Sequence, residues 1–78
     1  MAFSITVRND GVDGTVQVTE RVNLNEQHLV FDGLIEAGAS MQVQCVGAAP
    51  KDFTWTHRGS GLSGGPETVS DGGELVVE

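Results

Sequence analysis

A chain of 78 residues is the length of one small domain, and its single cysteine excludes an intrachain disulfide. Four Lys and Arg residues against eleven Asp and Glu residues give a net charge of −7, which disfavours nucleic acid and anionic membranes as partners because both attract positive charge. We therefore expect a single domain over residues 1–78 that relies on its apolar core, helped by self-association.

The start of the chain bears on localisation. No basic and apolar leader precedes the first predicted strand, and no apolar run approaches the length of a membrane-spanning helix. These features favour a cytoplasmic or virion-associated protein, and they equally fit a domain excised from a longer one.

Three stretches of the chain alternate between inward and outward residue types. This alternation is typical of half-buried β-strands, because successive side chains of a strand point to opposite faces. The residues that share one parity are Phe3, Ile5 and Val7, then Met41, Val43 and Cys45, then Phe53, Trp55 and His57. The first two stretches describe a core, and they place the only thiol among packing residues, where a thiol is inert.

The first half of the chain predicts three strands, over residues 3–8, 15–22 and 28–35. The Asn- and Asp-rich segment 9–14 predicts a hairpin between the first two strands, since Asp-Gly tolerates positive φ.

Two features of these strands are irregular. Glu20 shares the parity of the inward valines, so the second strand is predicted to bend or leave the core near Thr19. The third strand follows a polar connection, 23–27, that could hold one helical turn. It is apolar on both parities, which predicts a central strand or a bulge at Asp32-Gly33.

The second half of the chain predicts four more strands, over residues 39–46, 52–58, 67–70 and 74–78. The glycine-rich segment 59–66 predicts a mobile surface loop, and its G-x-G-x-x-G spacing lacks the following helix that a dinucleotide site requires. Asp71-Gly72-Gly73 predicts a hairpin turn. Six or seven short strands predict an all-β fold, a small antiparallel β-sandwich or partly open barrel.

Candidate metal ligands and catalytic groups are few. Asn9, Asp10 and Asp13 place three oxygen-bearing side chains on one turn, which is a candidate calcium site, although turn chemistry alone explains them. No catalytic set is evident, because Cys45 has no activating context. We therefore expect no enzymatic activity and no cofactor.

Two surfaces are candidates for binding. The stripe of Phe53, Trp55 and His57 packs in the core in the commoner case, and forms an aromatic platform for a partner or a sugar if it faces solvent. Leu75 and Val77 belong to a C-terminal strand with few charges, which is either central or an edge that pairs with another copy.

The segment from Phe31 to Met41 contains F-x-G-L-x-x-G followed by an alternating strand. This pattern resembles the central hairpin of prealbumin-like and Ig-like β-sandwich modules, which occur in cell-surface stalks and as accessory domains of enzymes. The resemblance implies a non-catalytic adhesion or assembly role and assigns no site residue. This chain departs from many such modules in lacking a tyrosine after the second glycine, and Met41 stands near that place.

These observations predict a non-catalytic interaction or structural module that self-associates, with a protein partner or a second copy bound at the candidate surfaces. The alternative is a carbohydrate- or calcium-binding accessory domain.

Overall fold

The computed structural model describes residues 3–78, and within them it contains seven β-strands and no helix. The strands are β1 (Ser4–Asn9), β2 (Gly14–Asn23), β3 (Glu26–Ile35), β4 (Ser40–Gln44), β5 (Lys51–His57), β6 (Leu62–Val69) and β7 (Glu74–Val77). The all-β prediction is therefore confirmed. In the described range no helix exists that could span a membrane.

The strands form two sheets that do not close into a barrel. One sheet has the strand order β4-β1-β7, and the other has the order β3-β2-β5-β6. Neighbouring strands are antiparallel except β1 and β7, which run parallel. The edge strands are therefore β4 and β7 in the first sheet and β3 and β6 in the second.

One apolar core lies between the sheets, and the predicted alternating stretches supply much of it. Its buried residues are Phe3, Ile5, Val7, Val16, Val18, Ile35, Val43, Cys45, Phe53, Trp55, Val69, Leu75 and Val77. The rings of Phe3 and Phe53 meet edge to face, with centroids 6.2 Å apart, and so connect the two sheets. Met41 differs from the prediction: its side chain is 42% exposed because β4 is an edge strand.

The connections between strands differ from the predicted hairpins. Segments 9–14 and 71–73 are not hairpins, because each carries the chain from one sheet to the other. The connection 36–39 between β3 and β4 also changes sheets. Asp and Gly favour a change of chain direction whichever strand comes next, so turn composition marked these positions without revealing which strands pair.

The segment predicted as a mobile loop, 59–66, is largely part of a strand. β6 begins at Leu62 and pairs with β5. A Cβ at Gly64 would lie 2.7 Å from atoms of the Trp55 indole, so a glycine is required for this close approach. The glycines here make room for a packed side chain, whereas composition alone suggested flexibility.

β3 is an edge strand and not the predicted central one. The predicted bulge at Asp32-Gly33 is also misplaced: Phe31 pairs with Val18 and Leu29 with Thr19, so the extra residue is Val30. The preceding connection is a two-residue turn, 24–25, and not a helical turn. The apolar side chains of β3 that point away from the core, those of Leu29 and Leu34, are therefore exposed at the edge of the sheet.

Candidate interaction surface

The stripe of Phe53, Trp55 and His57 faces the core. Phe53 and His57 are fully buried, and Trp55 is 9% exposed. On β2, the opposing residues of this stripe are the buried Glu20, Val18 and Val16. The stripe therefore offers no exposed aromatic ring to a partner or a sugar.

His57 belongs to a buried polar cluster with Asn9. The Nε2 atom of His57 lies 3.2 Å from Asn9 Oδ1 and 2.9 Å from the Val12 carbonyl oxygen. On the other side of the ring, the Ser60 backbone N–H donates to Nδ1 over 3.1 Å. Since Nδ1 accepts, the geometry assigns the ring proton to Nε2, where two acceptors face it.

The Asn9 side chain completes this cluster. Its Nδ2 donates to the carbonyl oxygens of Val12 and Ile35, both at 2.8 Å, and its Oδ1 accepts the Gly11 N–H at 2.8 Å. Asn9 is fully buried at the end of β1, and His57 is fully buried at the end of β5. The pair therefore ties the two sheets together at this end of the molecule.

The predicted calcium ligands do not converge on one point. Asn9 is occupied by the contacts just described, Asp10 forms an ion pair with Arg8 at 2.8 Å, and Asp13 accepts the Ala37 N–H at 2.6 Å. Across residues 3–78, no group of three or more His, Cys, Asp or Glu side chains is placed to hold a metal ion. These three side chains instead fix the crossing segment between β1 and β2.

Glu20 is a second buried polar residue. Its carboxylate accepts the backbone N–H groups of Val46 and Gly47, each at 2.7 Å, and the side chain is fully buried. Of the two alternatives predicted near Thr19, the one in which β2 leaves the core is wrong, because two backbone donors stabilise the inward carboxylate. The pairing of β2 with β3 does become irregular there, between Val18 and Thr19. The contact also anchors the segment between β4 and β5.

Cys45 lies in the core, as the alternation predicted. Its side chain is 4% exposed, and burial raises the pKa of the thiol from 9.0 to about 11, with smaller contributions from the negative charges of Glu20 and Asp71. A thiol of this pKa carries almost no thiolate at neutral pH, so it is poorly suited to nucleophilic chemistry.

Leu75 and Val77 are core residues. Both side chains are fully buried, so they present no apolar contact surface. β7 does lie at a sheet edge, which was one of the two predicted placements. β7 exposes only a short backbone edge of four residues, which begins at the acidic Glu74 and is followed by a second acidic residue, Glu78.

Three of the seven exposed large apolar side chains of residues 3–78 lie on the edge strands β3 and β4, which contact each other across the fold. The other four are Val12, Leu24, Val46 and Leu62. Leu29 and Leu34 on β3 are 57% and 64% exposed, and Met41 on β4 is also exposed. Val30 and Phe31 are half-buried and pack against the core. We call the two edge strands with these five residues the β3–β4 side; Leu29 and Leu34 lie on the outer face of the four-stranded sheet, and Phe31 lies on its core face.

The formal charges carried by β3, β4 and the segment between them are all negative at neutral pH, while Arg21 on β2 stands opposite Gln27 and Arg8 on β1 stands opposite Ser40. Residues 22–50, which include both edge strands, contain no Lys or Arg, and their formal charges are those of Glu26, Asp32 and Glu36. Glu26 pairs with His28, and the hydrogen bond from the His28 ring lowers the pKa of this carboxyl. The surface therefore combines apolar side chains with an acidic rim.

An open groove lies at the end of the molecule where β2 ends and β5 begins. It is lined by Arg21, Asn23, Leu24, Pro50, Lys51 and Asp52. The Asp52 carboxylate accepts a hydrogen bond from the Thr68 hydroxyl at 2.6 Å. The groove contains none of the residues predicted as binding or metal-ligating.

Sequence reasoning missed the β3–β4 side and the roles of two polar residues. Asn9 continues the inward parity of Phe3, Ile5 and Val7, just as His57 continues that of Trp55. This parity was the available signal that both side chains are internal. The exposure of Leu29 and Leu34 had no local signal, because it depends on the position of β3 in its sheet.

Comparisons with protein-family models, curated proteins and solved structures found no match to this chain.

Proposed function

We propose that this protein is a non-catalytic interaction module that assembles through its β3–β4 side and self-associates at high concentration. The observation that carries the proposal is the exposure of Leu29 and Leu34 on β3 and of Met41 on β4, two edge strands of different sheets that contact each other. Apolar side chains left exposed at sheet edges are typical of interaction surfaces. The small core adds support, because association buries further apolar area.

The burial of three chemically reactive side chains also supports a non-catalytic role. Cys45, His57 and Glu20 are all buried, and the last two have backbone partners that explain their placement. We also propose that the two sheets form an Ig-like or prealbumin-like sandwich. The enclosed core and the pattern from Phe31 to Met41 support this more specific assignment.

Self-association provides a test that needs no knowledge of the natural partner. Sedimentation velocity from low to high micromolar protein should show a reversible dimer, stronger at high salt because salt screens the acidic rim. The variant L29T/L34T should shift the equilibrium toward monomer. The control Leu62→Thr removes a leucine that is 50% exposed on the other outer strand, β6, and should leave the equilibrium unchanged.

A monomer at every concentration and salt condition would remove self-association from the proposal. If L29T/L34T and Leu62→Thr shift the monomer–dimer equilibrium equally, the β3–β4 side is not the dimer interface.

A further inference from the structure

We propose that the β3–β4 side binds an extended segment of another polypeptide, carrying Lys or Arg between apolar residues, which adds to the four-stranded sheet along β3. This inference rests on the proposed function and specifies the chemistry of the partner. Three features of β3 support it: the length of its edge, the direction of its leucines and the sign of its charge.

β3 offers the longest edge in the described part of the chain. It spans ten residues, against five for β4, eight for β6 and four for β7, and within residues 3–78 no strand pairs with its outer side. An edge strand presents backbone N–H and C=O groups to which an extended peptide can pair. The next longest edge, β6, contains Pro66, which has no N–H to donate.

The bulge at Val30 places both leucines on one face of the sheet. Leu34 pairs with Thr15 and Leu29 pairs with Thr19, and these threonines have the same parity on β2. In a regular strand, residues five positions apart would face opposite sides. The bulge corrects this difference, so both leucines point to the outer face, where the side chains of an added strand would lie beside them.

Asp32 lies between the two leucines on that outer face. It pairs with Gln17, and its carboxylate has only a long hydrogen bond of 3.4 Å from the Gln17 amide. The outer face of β3 therefore carries a leucine–aspartate–leucine row. A strand with an apolar–basic–apolar row would place a cation beside Asp32 and apolar groups beside the leucines.

A second copy of this chain is a poorer occupant of the same edge. Its own β3 would bring another Asp32 and contains no Lys or Arg to place beside the first. The net charge of −7 on each copy opposes close approach at low salt. Charge complementarity therefore favours a basic segment of a different polypeptide.

The test is an NMR titration of the isotope-labelled full chain with the peptide acetyl-Thr-Val-Thr-Lys-Thr-Val-Thr-amide. Two control peptides have glutamate in place of lysine, or the same residues with the alternation scrambled. We expect the lysine peptide to shift β3 amide signals and to bind about fivefold or more tightly than either control. Asp32→Lys should reverse the preference between lysine and glutamate peptides, and Asp32→Asn should abolish it.

Glu67→Lys is the matched variant, because it makes the same charge change on β6, the opposite edge. It should leave the preference intact, which separates binding at β3 from general attraction to an acidic protein. Equal binding of all three peptides, or shifts confined to β6 and β7, would overturn the inference. If the chain self-associates through β3–β4 but shows no lysine preference, a second copy is the occupant. In that case the proposed function stands and this inference fails.

Discussion

The Oδ1 atom of Asn9 lies 3.2 Å from the Nε2 atom of His57, and both side chains are fully buried where the last residues of β1 and β5 face each other. Every polar atom of this pair has a partner, and in the described chain no buried side-chain nitrogen or oxygen lacks one. A buried cluster of this kind is stable only as a unit, because loss of one member leaves its partners without hydrogen bonds.

Replacement of Asn9 tests this cluster. Asn9→Ala removes the donor to the Val12 and Ile35 carbonyls and the acceptor for the Gly11 N–H. We expect the free energy of unfolding, measured by urea denaturation, to fall by about 2–4 kcal/mol. Asn25→Ala, at an exposed turn residue, should change it by about 0.5 kcal/mol or less. Similar losses of unfolding free energy in Asn9→Ala and Asn25→Ala would show that the cluster stabilises the fold no more than an exposed turn residue does.

Glu20 supports a second prediction about a buried polar contact. Glu20→Gln keeps the shape of the side chain but turns an NH₂ group toward one of two backbone N–H donors, those of Val46 and Gly47. Unfolding free energy should fall by about 1.5–3 kcal/mol. The same exchange at the exposed Glu67 should have little effect. A neutral result at Glu20 would contradict the two hydrogen bonds.

The thiol of Cys45 should be protected in the folded protein. Reaction with a thiol reagent at mildly alkaline pH should be slow in buffer and fast in denaturant, because the site is buried and its pKa is raised to about 11. Comparable rates in both conditions would place the thiol at the surface.

The same pKa gives a pH dependence of stability. The folded pKa of the Cys45 thiol lies above the value of 9.0 for a free thiol. The contribution of the protonated thiol to the free energy of unfolding is therefore complete below pH 9 and is lost as the pH rises toward 11. Cys45→Ala should therefore flatten this part of the stability profile. Identical alkaline profiles for the two proteins would show that another group causes the loss.

Gly64 and Trp55 give a prediction about the β5–β6 hairpin. A Cβ at position 64 would stand 2.7 Å from the indole, so Gly64→Ala should destabilise the fold by about 1–3 kcal/mol and change the emission of the only tryptophan. Ser63→Ala, at the exposed neighbouring position, is the control. Unchanged emission and stability in Gly64→Ala would mean that the indole does not pack there.

The fold class was predictable from the sequence because alternation is a local property. It identified the core positions Ile5, Val7 and Val43 directly. Which strands pair was not predictable, since the turn residues of 9–14 suit a hairpin and a crossing between sheets equally well. The exposure of Leu34 follows from the edge position of β3, and that position is set by the pairing of distant strands.

The candidate site was less predictable than the fold. The stripe ending at His57 was assigned two alternative orientations, and only the packed sheets show that it faces inward. The apolar run of β3 predicted a central strand or a bulge at Asp32-Gly33, because such a run has the same sequence pattern in a central strand and in an edge strand with exposed apolar side chains.

The most direct measurement is the concentration dependence of backbone amide signals in NMR spectra of the full chain at high salt. If the β3–β4 side is the interaction surface, raising the protein concentration should shift signals from Glu26–Ile35 and Ser40–Gln44, and L29T/L34T should suppress these shifts. Spectra that do not change with concentration, or changes confined to β6 and β7, would contradict the claim that the β3–β4 side is the interaction surface.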